Sequence, residues 1–252
     1  MGAGEKPAPS NEINEMKRNL IVAAIAGVAI LALIGAGGYV YFFSGLRTSP
    51  ATLALSATPS ATAGSTSATG LAGNWNIATG SLVGYRVQEL FAGASSKHLA
   101  VARTSNVSGK LRVSGDAGGY QVSAINVTAN LTSLHSVDQV AGRDVSQRDG
   151  VVTRQLAVQQ FPNATFTATS ASVPGTVTSA PADVTVPGTL TIHGVTKDVT
   201  AAAKAQLVGD KVEIAGTLTI NMTDYGVSPP QAPFVTVDPT ATIEFDLFLT
   251  KA

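Results

Sequence analysis

Residues 188–200 read GTLTIHGVTKDVT, and their alternation of apolar and polar side chains strongly limits what this chain can fold into. The alternation has a period of two on both sides of His193-Gly194, which is the local signature of a β-hairpin. Glycine adopts positive φ freely, and histidine tolerates the left-handed region better than most residues. We therefore predict that His193 is a turn residue rather than a ligand or a base.

The same period-two pattern recurs along the C-terminal part of the chain. A strand with one apolar and one polar face has one side buried and one side in water, which requires antiparallel pairing in a sandwich or a closed barrel. The predicted strands are Val83–Val87, Val107–Val113, Ile125–Leu131, Ala164–Val173, Val184–Ile192, Val195–Leu207, Val212–Met222 and Ile243–Leu249. Asp144–Gln160 lacks this alternation and is predicted to be a short helix or an ordered loop.

Leu20–Phe43 is a run of 24 residues without a charge. About 20 helical residues cross a bilayer, and a cleavable signal peptide has a shorter apolar region, so an uncleaved transmembrane helix is the expectation. Lys17 and Arg18 precede the run. The positive-inside rule then predicts a disordered cytoplasmic tail over residues 1–19 and an extracytoplasmic domain after the membrane.

Residues 44–72 are predicted to be a flexible linker, since 24 of these 29 residues are Ser, Thr, Ala, Gly or Pro. Such a composition buries too little apolar surface to offset chain entropy. The folded domain is expected over residues 73–252.

Composition excludes several classes of function. The chain carries 16 basic and 16 acidic residues, so no electrostatic attraction to nucleic acid is expected. It has no cysteine, which excludes disulfides and thiolate chemistry. The three histidines lack a spaced acidic or histidine partner, and no catalytic motif occurs, so neither a metal site nor an enzyme is supported. Five charged residues between positions 138 and 149 are interpreted as solvated ion pairs in a loop: Asp138, Arg143, Asp144, Arg148 and Asp149.

Small residues occupy many inward positions, among them Ala201, Ala203, Ala205, Gly188 and Gly216. An eight-stranded barrel is just wide enough either to be filled by side chains or to hold one small ligand. The small residues therefore indicate either an apolar tunnel or close approach of two sheets, and the residues alone leave both readings open.

Six segments, taken in order, resemble the YceI-like, lipocalin-like, polyisoprenoid-binding family: Trp75, Gly84–Val87, Arg148-Asp149, Phe161–Phe166, the hairpin GTLTIHGVTK from Gly188, and Asp224–Val227. The resemblance covers about Gly73 to Ala252. One departure is Met222-Thr223, which stands where the family often has a basic residue before its D-F-G-V turn.

The resemblance implies an eight-stranded antiparallel lipocalin-like barrel, here preceded by one transmembrane helix and a disordered linker. It also implies that the interior holds an isoprenoid lipid, such as a polyprenyl chain or a quinone tail, with no other cofactor. Candidate lining residues are Tyr85, Val87, Leu111, Val127, Leu131, Phe166, Leu190, Ile192, Ala203, Ile220, Ile243, Phe245 and Leu247. Candidate residues for the mouth, where a polar head would sit, are Arg86, His98, Arg103, Arg148 and Asp149.

The expected function is transport or storage of that lipid by a membrane-tethered, extracytoplasmic protein. A second class remains open: an extracytoplasmic β-domain with a filled core that serves protein interaction or adhesion. A homodimer is also left open.

Overall fold

The computed structural model describes residues 47–56, 70–116, 119–173 and 181–252, together with Ala29 and Ala32, which are helical. The chain divides into two units, Met1–Arg47 and Thr48–Ala252, and the second contains the barrel. The predicted tail over residues 1–19 and nearly all of Leu20–Phe43 lie outside the described residues. Among the residues that are described, no helix combines the length and apolarity needed to cross a membrane.

The described residues are mostly strands. One α-helix, α1 (Gln147–Gln155), lies within the segment for which a helix or a loop was predicted, and Leu131–Ser133 and Met222–Tyr225 form 3₁₀ turns. The strands are β1 (Arg47–Thr48), β2 (Gly73–Ile77), β3 (Leu82–Phe91), β4 (His98–Thr104), β5 (Val107–Asp116), β6 (Gly119–Asn130), β7 (His135–Ser136), β8 (Gln139–Val140), β9 (Asn163–Val173), β10 (Ala182–Ile192), β11 (Val195–Val208), β12 (Lys211–Asn221), β13 (Gln231–Ala232) and β14 (Val235–Lys251).

The strands close into an eight-stranded antiparallel barrel, as predicted. β14 closes the ring because it pairs with β12 on one edge and with both β2 and β3 on the other. β2 and β3 act as two halves of one barrel strand. β5 pairs with β2 and β4 pairs with β3, so β5 and β4 together act as the next barrel strand. The ring continues through β6, β9, β10, β11 and β12.

The hairpin predicted around His193-Gly194 joins β10 to β11. Ile192 pairs with Val195 across the turn. His193 has φ 53° and Gly194 has φ 75°, and two positive φ values in a two-residue loop define the type I′ turn that suits strand twist. The imidazole Nδ1 of His193 lies 3.1 Å from the carbonyl oxygen of Tyr225. His193 is thus a turn residue, which confirms the prediction.

The two ends of the barrel differ. At the closed end, Trp75 is 4% exposed, and its indole N–H donates to the carbonyl of Leu71 over 2.8 Å. At the opposite end, which we call the mouth end, β3 finishes at Phe91, and Phe91 pairs with Val235 at the start of β14. The long connection between β6 and β9, which contains α1, also lies at the mouth end and contributes lining residues there.

Part of the predicted linker is ordered against the outer wall of the barrel. Residues Ser49–Ser56, which we call the strap, donate hydrogen bonds to barrel groups along their length. The Ser49 hydroxyl donates to the carbonyl of Leu99 (2.5 Å), and the Ser56 N–H donates to a Glu213 carboxylate oxygen (2.7 Å). Leu99 lies near the mouth end and Glu213 near the closed end, so the strap runs down the wall from mouth to base. This segment differs from the flexible coil predicted for residues 44–72.

Candidate functional site

The barrel encloses a cavity of about 710 Å³ whose walls are mainly aliphatic and aromatic. Alternation places every second residue of each strand inward, and these positions carry the apolar side chains. All of the predicted lining residues face this cavity: Tyr85, Val87, Leu111, Val127, Leu131, Phe166, Leu190, Ile192, Ala203, Ile220, Ile243, Phe245 and Leu247.

The small inward residues have two different physical roles. Ala201, Ala203 and Ala205 line the cavity, so their short side chains leave volume open along β11. Gly216 instead permits close packing, because a Cβ there would lie 2.3 Å from the carbonyl oxygen of Ala202 and 2.8 Å from the ring of Phe245. The two readings left open by the sequence thus apply to different residues.

A polar cluster stands on the cavity wall around Arg148. The Arg148 guanidinium donates to Glu89 Oε1 over 2.6 Å and to Asp138 Oδ1 over 2.7 Å. It also donates to the hydroxyl of Ser136 over 3.2 Å. Of these groups Arg148 and Glu89 line the cavity. The sequence had suggested solvated ion pairs here, but the side chain of Asp138 is 0% exposed and that of Glu89 is 5% exposed.

His98 completes this cluster through its contact with Asp138. Its Nε2 lies 2.7 Å from Asp138 Oδ2, and the backbone N–H of Val101 donates to Asp138 Oδ1 over 3.0 Å. His98 is buried and does not line the cavity, so it supports Asp138 rather than meeting a ligand. No acidic residue stands at a metal-motif spacing from any histidine in the sequence, yet the structure gives His98 an acidic partner. That partner is 40 residues away in sequence and is brought close by the fold.

Asp149 supports the cluster through Ser136. Its Oδ1 accepts hydrogen bonds from the backbone N–H (2.9 Å) and the hydroxyl (2.7 Å) of Ser136. Because Ser136 contacts Arg148 as well, Asp149 fixes the short β7 segment that holds the guanidinium in place. Asp149 is a supporting residue and not part of the cavity lining.

Burial and pairing shift the pKa values in this cluster in opposite directions. Burial raises the pKa of Glu89, although Arg148 partly offsets it. Burial also acts to raise the pKa of Asp138, but hydrogen bonds from His98, Arg148 and Val101 outweigh it and hold that pKa well below its usual range. Burial raises the pKa of the Tyr85 phenol well above its ordinary value, so Tyr85 presents a neutral hydroxyl to the cavity.

Three residues of this cluster are of types that can ligate a metal ion. One ligand atom each from Glu89, His98 and Asp138 lies within 4.8 Å of the others. The carboxylate oxygens of that set already accept hydrogen bonds from the guanidinium of Arg148. The Arg148 guanidinium therefore already supplies the positive charge at this position, and the set of acceptor atoms fits that guanidinium rather than a metal ion.

The two other predicted mouth residues, Arg86 and Arg103, lie on the outside of the barrel. They alternate with inward residues of β3 and β4, so their side chains point away from the cavity. Arg86 Nη1 donates to Glu244 Oε2 over 3.0 Å, and Arg103 Nε donates to Glu244 Oε1 over 2.8 Å. Both guanidinium groups also donate to strap carbonyls, those of Pro50 and Ala51. The prediction that they seat a polar head is not met, because they bind the strap.

Comparison with known proteins gives the same assignment at the level of family. The family model described as the YceI-like domain matches residues 75–249. A UPF0312 protein of Pseudomonas putida strain F1 and one of Pseudomonas syringae pv. tomato strain DC3000 are each 33% identical over 135 residues, which is 51% of this chain. The matched region covers 65% of the length of those curated relatives.

Two solved structures are similar at low sequence identity. One is a polyisoprenoid binding domain from Saccharophagus degradans implicated in plant cell wall breakdown, with 20% identity and a TM-score of 0.49 over 71% of this chain and 98% of that one. The other is Burkholderia cenocepacia BcnA, with 17% identity and a TM-score of 0.43 over 65% of this chain and 95% of that one. With the family model matching from Trp75 to Leu249, across all eight strands of the barrel, this chain belongs to the YceI-like family.

Proposed function

We propose that this protein binds the long apolar chain of an isoprenoid lipid, a polyprenyl chain or a quinone tail, inside its barrel and carries or stores it. The observation that supports this most is the cavity of about 710 Å³ with its apolar walls. Sites for small ligands usually have volumes of roughly 300–1,000 Å³ and combine apolar walls with a few polar groups. A filled core, which the interaction or adhesion alternative requires, does not fit a cavity of this size.

The polar groups on the wall provide a place for one polar end of the ligand. The Tyr85 hydroxyl and the Arg148 guanidinium are donors that face the cavity. Two carboxylates already pair with Arg148, so the cluster has no surplus positive charge to attract a strongly anionic head. A carbonyl or hydroxyl head group suits these donors better than a phosphate does.

We also propose that Leu20–Phe43 anchors the protein in a membrane with its N terminus in the cytoplasm and the barrel outside. Support comes from the 24 uncharged residues and from Lys17 and Arg18 before them. A protein that exchanges a lipid with a bilayer gains from being held next to it.

Lipid retention can be tested directly on the full chain purified in mild detergent. Native mass spectrometry of the wild type should show a bound apolar ligand, and organic extraction should release species that differ by whole isoprene units. A wild type that carries no lipid from any membrane source would contradict the proposal.

A pair of adjacent alanines on β11 makes this test specific. Ala203 lines the cavity, whereas Ala202 is exposed on the outer face. Ala203→Phe should fill the cavity and abolish lipid retention while the domain stays folded, and Ala202→Phe should retain lipid as the wild type does. In a close-packed interior Ala203→Phe would instead cost about 1–3 kcal/mol through overpacking. Destabilisation by Ala203→Phe in a protein without lipid would therefore refute the cavity as a ligand site.

A further inference from the structure

Apolar side chains on the outside of the barrel collect at the mouth end. Among the described residues, the large hydrophobic side chains that are exposed are Phe234, 61% exposed, and Leu90, 39% exposed. They are close together, because Leu90 pairs with Thr236 across the β3–β14 ladder, two residues beyond Phe234. Exposed apolar side chains that lie together can mark a site of contact with a protein or a membrane.

The exposed residues are continuous with the cavity. Phe234 is exposed and also lines the cavity, so its ring stands on the border between interior and solvent. Its carbonyl accepts a hydrogen bond from the N–H of Ala92 over 3.0 Å, which fixes the Pro233-Phe234 turn against the end of β3. A chain that leaves the cavity past Phe234 therefore meets an apolar rim before it meets water.

A cation next to this rim has the placement typical of a membrane interface. The guanidinium carbon of Arg143 lies 4.3 Å from the ring centroid of Phe91, and Arg143 is exposed and lines the cavity mouth. Helices that lie in a membrane surface combine Phe, Trp or Leu on the lipid side with Lys or Arg on the polar side, and the rim carries the same residue types. The long apolar stem of an arginine lets its charge stay in the head-group layer while the rings enter the hydrocarbon.

The strap supplies an independent observation on orientation. Its first residue, Ser49, is hydrogen-bonded to Leu99, whose strand partner is Gln88, near the mouth end of β3. The strap therefore begins at the mouth end of the barrel and not at the closed end. Six residue steps separate Phe43, the end of the proposed membrane span, from Ser49, and they extend over at most about 20 Å. If residues 20–43 span a membrane as proposed, a connection of that length limits how far the start of the strap can lie from the bilayer.

We propose that the rim formed by Leu90, Phe91, Arg143 and Phe234 docks the mouth of the barrel onto a lipid bilayer surface, so that an apolar chain passes between membrane and cavity without crossing water. This inference rests on the proposed lipid-binding function for its purpose. The surface itself, its apolar character and its position at the mouth do not depend on that function.

Tryptophan fluorescence in vesicles tests the docking, and the chain offers a matched control. The single native tryptophan, Trp75, is buried at the closed end and gives the same background in every variant. Phe234→Trp places a probe on the rim, and Asp210→Trp places one in the exposed Gly209-Asp210 turn at the closed end. Leu90→Trp is a second rim probe in case the first variant folds poorly.

The full chain is reconstituted into phosphatidylcholine vesicles with brominated acyl chains, which quench tryptophan only at close range. We expect a blue shift and a loss of emission for Phe234→Trp and Leu90→Trp, and no change for Asp210→Trp or the wild type. Equal quenching of rim and closed-end probes, or quenching of neither, would overturn the proposal. A blue shift that grows with protein concentration in the absence of vesicles would also overturn it, since the occupant would then be a second copy of the chain.

Lipid retention measured on the same preparations separates this proposal from the proposed function. Retained lipid without quenching at the rim would refute docking alone. Quenching at the rim of a protein that never retains lipid would refute the proposed function and leave the docking surface.

Discussion

Replacing Arg148 by methionine removes the cation that two buried carboxylates share. The guanidinium donates to Glu89 and Asp138 over 2.6 and 2.7 Å, and the Asp138 side chain is 0% exposed. Methionine keeps much of the apolar stem but none of the charge. The variant therefore tests the ion pairs rather than the packing of the side chain.

The expected cost follows from the burial of the two carboxylates. Removing one partner of a buried ion pair leaves an uncompensated charge and typically costs about 3–5 kcal/mol. Arg148 itself is 15% exposed, and His98 still contacts Asp138, so the lower end of that range applies. A loss of about 3 kcal/mol lowers the melting temperature of a domain of this size by roughly 6–12 °C.

The stability lost in Arg148→Met should depend on pH, and it should be larger at neutral than at acid pH. The pKa of Asp138 is held well below its ordinary value, so its pairing stabilises the fold above the unfolded-state pKa and is lost as pH falls through the folded-state pKa. Glu89, whose pKa burial already raises, becomes harder to ionise once Arg148 is gone. The difference between variant and wild type is therefore largest near neutral pH and narrows below about pH 4, where carboxylates of the unfolded chain also take up protons.

Urea unfolding at pH 7 and pH 3, followed by Trp75 emission, measures both effects. Arg154→Met is the matched control, because Arg154 is an exposed residue of the same helix and should cost less than about 0.5 kcal/mol. Adding Glu89→Gln to Arg148→Met should recover part of the loss, since it removes one of the unpaired charges. A loss below about 1 kcal/mol, or one that does not change with pH, would refute the assignment of Arg148 as the counterion of this cluster.

Three further predictions concern other parts of the barrel. Burial and the neighbouring Glu213 carboxylate raise the pKa of Asp246 to about 6, so stability present at acid pH is lost as pH rises through that value. Asp246→Asn should therefore stabilise the protein at pH 8 by about 1 kcal/mol, after allowance for partial exposure, and should change its stability little at pH 4. Thermal unfolding at the two pH values measures this. Gly216→Ala should destabilise the barrel by more than about 1 kcal/mol because its methyl would meet the Phe245 ring and backbone, whereas Gly150→Ala in the exposed helix should be neutral or stabilising in the same urea titration. A chelator and a reductant should leave the melting temperature unchanged, and a drop of several degrees with chelator would reveal a metal that stabilises the fold.

Alternation in the sequence was enough to predict the antiparallel strands and their inward faces, whereas the choice of a closed barrel over a sandwich came from the resemblance to the YceI-like family. Inward positions such as Leu190, Phe245 and Leu247 follow from period two alone, because one face of each strand must be buried. The His193-Gly194 turn was equally local, since two adjacent residues determine its backbone. These features depend on a few neighbouring residues, so reading the sequence could find them.

The polar cluster depends on contacts between distant parts of the chain, and the sequence did not reveal it. Asp138 meets His98 only because the connection between β6 and β9 folds back against β4. One local signal did exist. Glu89 continues the inward series of Tyr85 and Val87, and a carboxylate on an apolar face requires a buried partner. That partner is Arg148, which lies 59 residues further along the chain.

Contacts with the outer wall explain why the strap is ordered although its composition predicted a flexible coil. A Ser/Thr/Ala/Pro segment has too little apolar area to fold by burial, and that argument is sound for apolar burial alone. The strap is held instead by charged groups of the wall: Glu244 accepts from the backbone N–H of Leu53 over 3.1 Å, and Glu213 accepts from the N–H and hydroxyl of Ser56. Hydrogen bonds to charged groups contribute about 1.5–3 kcal/mol each, more than those between neutral groups, and several of them along one short segment oppose the entropy cost of ordering it. The same contacts explain why Arg86 and both glutamates are less than a tenth exposed on a face that alternation assigned to water. Charges on the outward face of a strand can therefore mark a covering segment as well as a solvated surface, and here the covering segment comes from the chain just before the barrel.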